Sequence, residues 1–364
     1  MLLQGGKVLN AEFCWEEKDV LIEEGKIKAL LAPGAGSQGG VDISGMMVVP
    51  GLVDTHIHGA QGTDVMSGDF EPISKFLIRH GVTSFLPTTM TMPIEEINRV
   101  LHANRKVSGA QILGFHLEGP YLNEDYKGAQ NEKYLKLPDW EDFDDYHCIK
   151  MMTVAPELPG AMDYISRASK EFTIALGHSG CDYETAILAM EAGASSITHL
   201  CNGMKGLHHR QPHLLGAGLE QNNCYTQVIA DGIHIHPGML RLIYKCKGAD
   251  RMALISDAMS AAGLPDGTYE LGGKAVFVKQ GVARIDAGNL AGSTTNLWDC
   301  VKLLEQIGIP FESGVKMASL TPARMIGVPN KGAIGPGYDA DVLIVDSKRK
   351  IQKVMIGGQW ADIS

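Results

Sequence analysis

The apolar positions of this chain fall into two regimes. Through the middle, compact runs rich in Val, Ile and Leu recur, many separated by stretches of helical periodicity. These runs cover 47–58, 84–89, 112–118, 149–156, 173–178, 195–199, 225–234 and 252–257, eight in all. Amphipathic candidates between them include 94–106, 162–170, 183–192 and 237–247. Eight parallel strands alternating with helices are what an α/β fold of the (β/α)8 TIM-like barrel type requires. A doubly wound open sheet competes, but it has fewer strands as a rule and gathers its chemistry at a switch point.

The two ends read differently. Residues 20–30 form two β-rich arms around Glu24-Gly25, a hairpin signal. The turn-rich stretch 332–341 leads into an apolar run at 342–346 and a second hairpin at 351–360. The pattern predicts a small β-sandwich domain built from both termini, residues 1–47 with 329–364, beside a catalytic barrel at 48–328.

With 364 residues the chain can bury a large core, and 45% hydrophobic with 20% charged residues is ordinary for a globular protein. The net charge of -10 excludes the basic stripe that a nucleic-acid surface needs. No apolar run is long enough to span a bilayer, so no membrane partner is expected. The start of the chain lacks the pattern of a signal peptide. Seven cysteines, at 14, 148, 181, 201, 224, 246 and 300, are scattered with no C-x-x-C pair. Both features predict a cytoplasmic protein with reduced thiols rather than a disulfide framework.

The chemistry collects at strand ends. In Val48–Gly59 a β-branched run breaks at Pro50-Gly51, resumes, and ends in His56 and His58. Residues two apart on a strand share a face, so these imidazoles lie side by side. A lone His-x-His is more often a hydrogen-bonded pair than a metal site. Here, however, the ends of other runs add Glu118, His178, His199 and Asp257. In a barrel those tips converge on one rim, and four imidazoles with two carboxylates suit a hydrolytic zinc, iron or manganese centre. His116 reads as a structural strand residue, and His80, His102 and His147 have no ligand partner in view. After the sixth run, Asn202–Pro212 clusters Lys205, His208, His209 and Arg210 in an otherwise acidic chain. By itself this is a solvated basic loop.

The whole set resembles the amidohydrolase superfamily. Within it, His116–Leu122, Gly177-His178-Ser179, His199–Met204, Ala230–His234 and Ser256-Asp257-Ala258 are similar to the N-acetylglucosamine-6-phosphate deacetylases. The resemblance extends through 319–324 and 332–341, so it spans nearly the whole chain. It implies that Glu118, His178 and His199 hold a primary divalent ion. His56 and His58 would serve a second, giving one or two ions per subunit, zinc first and iron or manganese as alternatives. Asp257 would be the acid/base. The resemblance places Asn202, Gly203 and Arg210 at a sugar phosphate, with the arginine reaching in from the other subunit of a homodimer. It puts His234 at a sugar hydroxyl or the acetamide oxygen, and Ala129, Gln130, Leu290, Ala291 and Gly292 along the substrate. The implied reaction removes acetate from N-acetyl-D-glucosamine 6-phosphate in amino-sugar catabolism and cell-wall recycling. The galactosamine epimer is the alternative substrate. A non-catalytic amidohydrolase-like binding protein is the alternative of another class, and the presence of every ligand and of Asp257 speaks against it.

Overall fold

The computed structural model describes residues 1–35 and 39–363. At its centre are eight strands: β1 Leu52–Ile57, β2 Val82–Thr89, β3 Phe115–Glu118, β4 Ile149–Val154, β5 Thr173–Leu176, β6 Ser196–Ile197, β7 Tyr225–Ile229 and β8 Met252–Ile255. Each pairs in parallel with the next. The ring closes at a bridge between Ile57 and Ala258, where Asp257 N donates to His56 O at 2.9 Å and His58 N to Ala258 O at 2.8 Å. β1 and β2 are buried at every residue. Such strands face barrel interior on one side and helices on the other, which is why they read as continuous apolar runs. The fold is the (β/α)8 barrel.

The outer helices are α1 Glu71–Arg79, α2 Ile94–Leu101, α3 Ala161–Ala168, α4 Tyr183–Glu191, α5 His213–Glu220, α6 Pro237–Arg251 and α7 Leu297–Gln306, followed by α8 Phe311–Ala318 and α9 Leu320–Met325. The connection after β3 has no α-helix. It winds through four single 3-10 turns, each started by an Asn or Asp (123, 131, 139, 145) whose side chain accepts the backbone N–H two residues on. Tyr121 anchors this connection from below, donating to Asp142 Oδ2 at 2.8 Å and Asp139 O at 2.7 Å.

Two runs read as single strands are divided. Residues 112–118 split into Gln111–Ile112 and β3 around Gly114, which has φ 147° and backs onto Cys148 O. A Cβ there would sit 2.7 Å from that oxygen, so only glycine fits. Residues 47–58 split at Gly51, whose N–H donates to Asp341 O at 2.9 Å between the strand Met47–Pro50 and β1. Met47–Pro50 pairs with Val342–Val345 and Lys7–Leu9 in a six-stranded sheet outside the barrel.

That sheet faces a four-stranded one made of Leu2–Gln4, Asp19–Glu23, Lys26–Leu31 and Val41–Asp42. Leu3, Val20, Ile22 and Ile27 from one meet Val8, Val48, Val342 and Ile344 from the other, a β-sandwich drawn from both ends of the chain. Both predicted hairpins are present, with left-handed backbone at Glu24-Gly25 and at Gly357-Gly358. No helix among the described residues is long and apolar enough to cross a membrane.

Lys331 ties the turn 332–341 to the barrel. It is 6% exposed and donates to Asp341 Oδ2 and Gln111 Oε1, both at 2.6 Å. Removing one partner of a buried ion pair strands the other charge. Lys331→Met is therefore expected to destabilise the protein by about 3–5 kcal/mol, read from denaturant unfolding. A change below about 1 kcal/mol would show that water already neutralises Asp341.

Candidate metal centre and active site

The barrel's C-terminal rim brings six side chains to one point. Glu118 stands at the end of β3, while His178, His199 and Asp257 follow β5, β6 and β8 by two residues. These last three have left-handed backbone, with φ of 47°, 28° and 48°. Such geometry costs a non-glycine residue about 1–3 kcal/mol and persists where the surroundings fix it. Here the hydrogen bonds of the barrel wall do so, including Ser293 N to Asp257 O at 2.7 Å and Leu200 N to Gln227 O at 2.8 Å. The turn aims each side chain inward over the barrel mouth.

Glu118 is the hub. Its Oε1 lies 3.0 Å from His199 Nε2, 3.2 Å from His178 Nε2 and 3.4 Å from His56 Nε2, and its Oε2 lies 3.2 Å from His58 Nε2. Asp257 Oδ1 is 3.4 Å from His56 Nε2 and 3.3 Å from His58 Nε2. Two three-residue groups result, Glu118/His178/His199 and His56/His58/Asp257, each with donor atoms within 4.8 Å of one another.

The other ring nitrogens decide what these groups can do. Nδ1 of His178 faces Tyr126 O at 2.8 Å, that of His199 faces Asn202 O at 3.2 Å, and that of His58 faces Thr88 O at 3.1 Å. His56 Nδ1 lies 3.1 Å from Gln227 Oε1. A carbonyl oxygen only accepts, so every Nδ1 carries hydrogen and every Nε2 is left facing the carboxylates, to hold either a proton or a cation. Facing Nε2 atoms stand 3.0 Å apart in the His178–His199 pair and 3.2 Å apart in the His56–His58 pair. Two bare lone pairs at that distance repel unless a cation lies between them. The donor set fits a divalent ion.

The electrostatics agree. Burial pushes Glu118 upward, but His56 and His178 beside it override this and hold its carboxyl well below the usual range. Asp257 is likewise lowered, His56 and His58 outweighing its burial. Burial alone would depress His58, yet Asp257 and Glu118 push it up to about 10. Without an ion, protons hold the carboxylates and imidazoles together.

A cavity of ≈ 390 Å³ opens over this centre. His58, Glu118, His178, His199 and Asp257 form part of its lining, together with Ala129, Gln130, Asn202, Gly203, His234, Leu290 and Gly292. Ala291 is fully buried behind the wall. Arg210 stands apart: it is exposed, with Nη1 2.9 Å from His209 Nε2, and does not line this chain's own cavity. Gln130 reaches the cavity but spends its polar atoms elsewhere, donating to Glu118 Oε2 and accepting from Thr91 N at 2.7 Å. His234 lies five residues beyond β7, in a loop and not on a strand tip. Asp231 positions it, accepting from Ile233 N and His234 N at 2.8 Å and from His234 Nδ1 at 2.7 Å.

Residues 47–361 match the amidohydrolase family. The chain belongs to that family. It is 38% identical over 365 aligned positions to the N-acetylglucosamine-6-phosphate deacetylase of Vibrio furnissii, covering 95% of this chain and 91% of that one. It is also 38% identical over 331 positions to the N-acetylgalactosamine-6-phosphate deacetylase of Escherichia coli O157:H7, covering 86% and 88%. The crystal structure of the Thermotoga maritima N-acetylglucosamine-6-phosphate deacetylase superposes with a TM-score of 0.91 at 33% identity, covering the whole of both chains.

Sequence reasoning missed several parts of this amidohydrolase site. Gln227 orients His56 through its side chain from an inward position of an apolar strand, where its polarity was the available signal, whereas Thr88 orients His58 through its main-chain oxygen, which residue type does not reveal. His116, fully buried, packs edge-on against His56 with ring centres 4.5 Å apart and bonds Thr153 Oγ1 at 2.8 Å. Glu157 ties three rim loops together through Ser179 Oγ, Gly180 N and Asn123 Nδ2, each at 2.7 Å. Leu271 lines the cavity from a three-stranded sheet, Gly267–Leu271, Lys274–Lys279 and Val282–Arg284, inserted after β8. Only Leu290, Ala291 and Gly292 were expected to contribute there.

At neutral pH His58 carries a proton that an ion must displace. Metal uptake by the apoprotein is therefore expected to release protons, with affinity rising up to about tenfold per pH unit for each one released. Calorimetry in buffers of different ionisation enthalpy measures this; uptake independent of buffer and pH would contradict the proton-sharing picture.

Proposed function

We propose that the protein hydrolyses the acetamide of N-acetyl-D-glucosamine 6-phosphate, giving D-glucosamine 6-phosphate and acetate. The observation that carries the reading is the position of Asp257, a carboxylate 3.3–3.4 Å from the paired imidazoles of His58 and His56 that also lines the open cavity. Glu118, His178 and His199 hold the primary ion, and His56, His58 and Asp257 face a second. Zinc is the first candidate, with iron or manganese as alternatives. When bound, such an ion supplies Lewis acidity, acidifying water and polarising the amide carbonyl.

The chain's own residues do the rest. Asp257 accepts a proton from the attacking water as the new C–O bond forms. It then returns that proton to the sugar nitrogen as the C–N bond breaks, so the amine leaves neutral with acetic acid, whose remaining proton passes to the amine or to solvent to give acetate. Asp257 Oδ1 lies 3.3–3.4 Å from the Nε2 atoms of His58 and His56, so positive charge held there, whether protons or an ion, would keep its carboxyl ionised, which suits a group that must first act as a base. With Nδ1 bound to Asp231, His234 has only Nε2 left to address a sugar hydroxyl or the acetamide oxygen. Asn202, Gly203 and Arg210 from a second copy of the chain take the phosphate, Arg210 through its planar fork. Ala129, Gln130 and the 290–292 turn bound the sugar. The enzyme acts as a cytoplasmic homodimer.

The galactosamine epimer is a second reading, favoured by equal identity to a deacetylase named for it. One sugar hydroxyl separates the two.

Acetate release from both epimers and from unphosphorylated N-acetylglucosamine, with and without chelator, tests the reading. Chelator-sensitive turnover of the glucosamine 6-phosphate derivative alone is expected. Turnover of the galactosamine derivative alone would transfer the activity to the epimer, and none after metal restoration would remove it. Asp257→Asn should lower kcat by about 10²–10⁴-fold with the Glu118 site still loaded; unchanged kcat would eliminate the proton shuttle. Arg210→Ala should raise KM for the phosphorylated sugar only, and an equal effect on the free sugar would remove the phosphate assignment.

A further inference from the structure

The cavity has two unlike ends. On one side, the loops after β6 and β7 present Asn202, Gly203 and His234. The β6 loop adds Cys201 and Met204 there, and across the barrel mouth, beside the tips of β1 and β2, the lining is apolar at Met90 and Leu271, which are 3% and 2% exposed. Met90 immediately follows β2, whose Thr88 O accepts from His58 Nδ1. The Gln130 amide nitrogen that donates to Glu118 Oε2 also lies 3.7 Å from Met90 Sδ. The thioether is thus one side chain away from the hub carboxylate.

This apolar wall is pinned. Gly272, next to Leu271, lies so close to Met90 that an added Cβ would fall 3.1 Å from Met90 Cβ. Asp64 Oδ2 accepts from Gly272 N at 3.2 Å, and Lys274 Nζ donates to Gln130 O at 2.9 Å. The tip of the inserted hairpin is therefore tied both to the β1 loop and to the β3 loop, leaving little slack behind Leu271.

An amide constrains how it can lie here. Its carbonyl carbon must sit at the centre, within reach of Asp257, and its two substituents leave on opposite sides. The sugar requires the polar end. We propose that Met90 and Leu271 form the wall that receives the acyl group, and that they restrict this site to short acyl chains. The inference rests on the deacetylase reading and adds acyl-length selection to it. One extra methylene against an apolar wall changes discrimination by about 10–200-fold.

The test is kcat/KM of the metal-loaded enzyme for N-formyl, N-acetyl, N-propanoyl and N-butanoyl glucosamine 6-phosphate, in the wild type, Met90→Ala and Leu271→Ala. The wild type should fall at least about tenfold from acetyl to propanoyl, and each variant should regain most of that loss while its bound metal stays constant. An unchanged acyl profile in folded, fully loaded variants would overturn the proposal, as would a wild type indifferent to chain length. If either alanine variant fails to fold, Met90→Val and Leu271→Val carry the same comparison. Loss of acetyl turnover by the wild type itself would instead sink the deacetylase reading, and this inference with it.

Discussion

Everything at the barrel mouth depends on one buried carboxylate. Glu118 is 3% exposed and lies within 3.4 Å of all four imidazoles. An isolated carboxylate could not remain ionised there; several kcal/mol of hydration would be missing. Positive charge from the histidines or from a divalent ion compensates it, and each histidine is in turn fixed by an oxygen on its far nitrogen. Gln227 Oε1, Thr88 O, Tyr126 O and Asn202 O form that outer ring, and Gln130 donates to Glu118 itself. The barrel thus supplies a rigid frame in which repulsive groups are held close, and a bound cation turns the repulsion into affinity.

Much of this arrangement is legible in the sequence, for a definite reason. A buried parallel strand is apolar on both faces, so a polar residue closing such a run is conspicuous. Glu118, His178, His199 and Asp257 are all found this way, and His56 with His58 by the two-residue repeat of a strand. The eight runs and both terminal hairpins emerge from the same contrast. What fails is the exact extent of the runs. Two of them contain a break, at Pro50-Gly51 and at Gly114, where backbone geometry interrupts a hydrophobic pattern that continues across it.

The loops are less legible, because their positions are set by tertiary contacts that leave no periodicity. His234 illustrates this. Its place comes from Asp231, which gathers two backbone N–H groups and the imidazole onto one carboxylate. The inserted sheet after β8 is a second case. Its strand Lys274–Lys279 is apolar at four consecutive positions, Ala275 to Val278, while its burial alternates and leaves Phe277 43% exposed. Nothing in that run says that Leu271, at the end of the preceding strand, will sit over a metal centre. Arg210 lies at the far limit of legibility: its own chain leaves it on the surface, and only resemblance to a family attaches it to a ligand.

This division between strand tips and loops bears on how such a site diversifies. Residues fixed by the barrel wall form the carboxylate–imidazole cluster, an arrangement that tolerates little displacement because it depends on distances near 3 Å. Loop residues meet the parts of a substrate that do not react. Their anchors, such as Asp64 on Gly272 and Glu157 on Ser179, Gly180 and Asn123, make no direct contact with Glu118. The two relatives of equal identity, named for sugars differing at one hydroxyl, are what that separation leads one to expect: the same frame for hydrolysis, with the choice of sugar left to the rim.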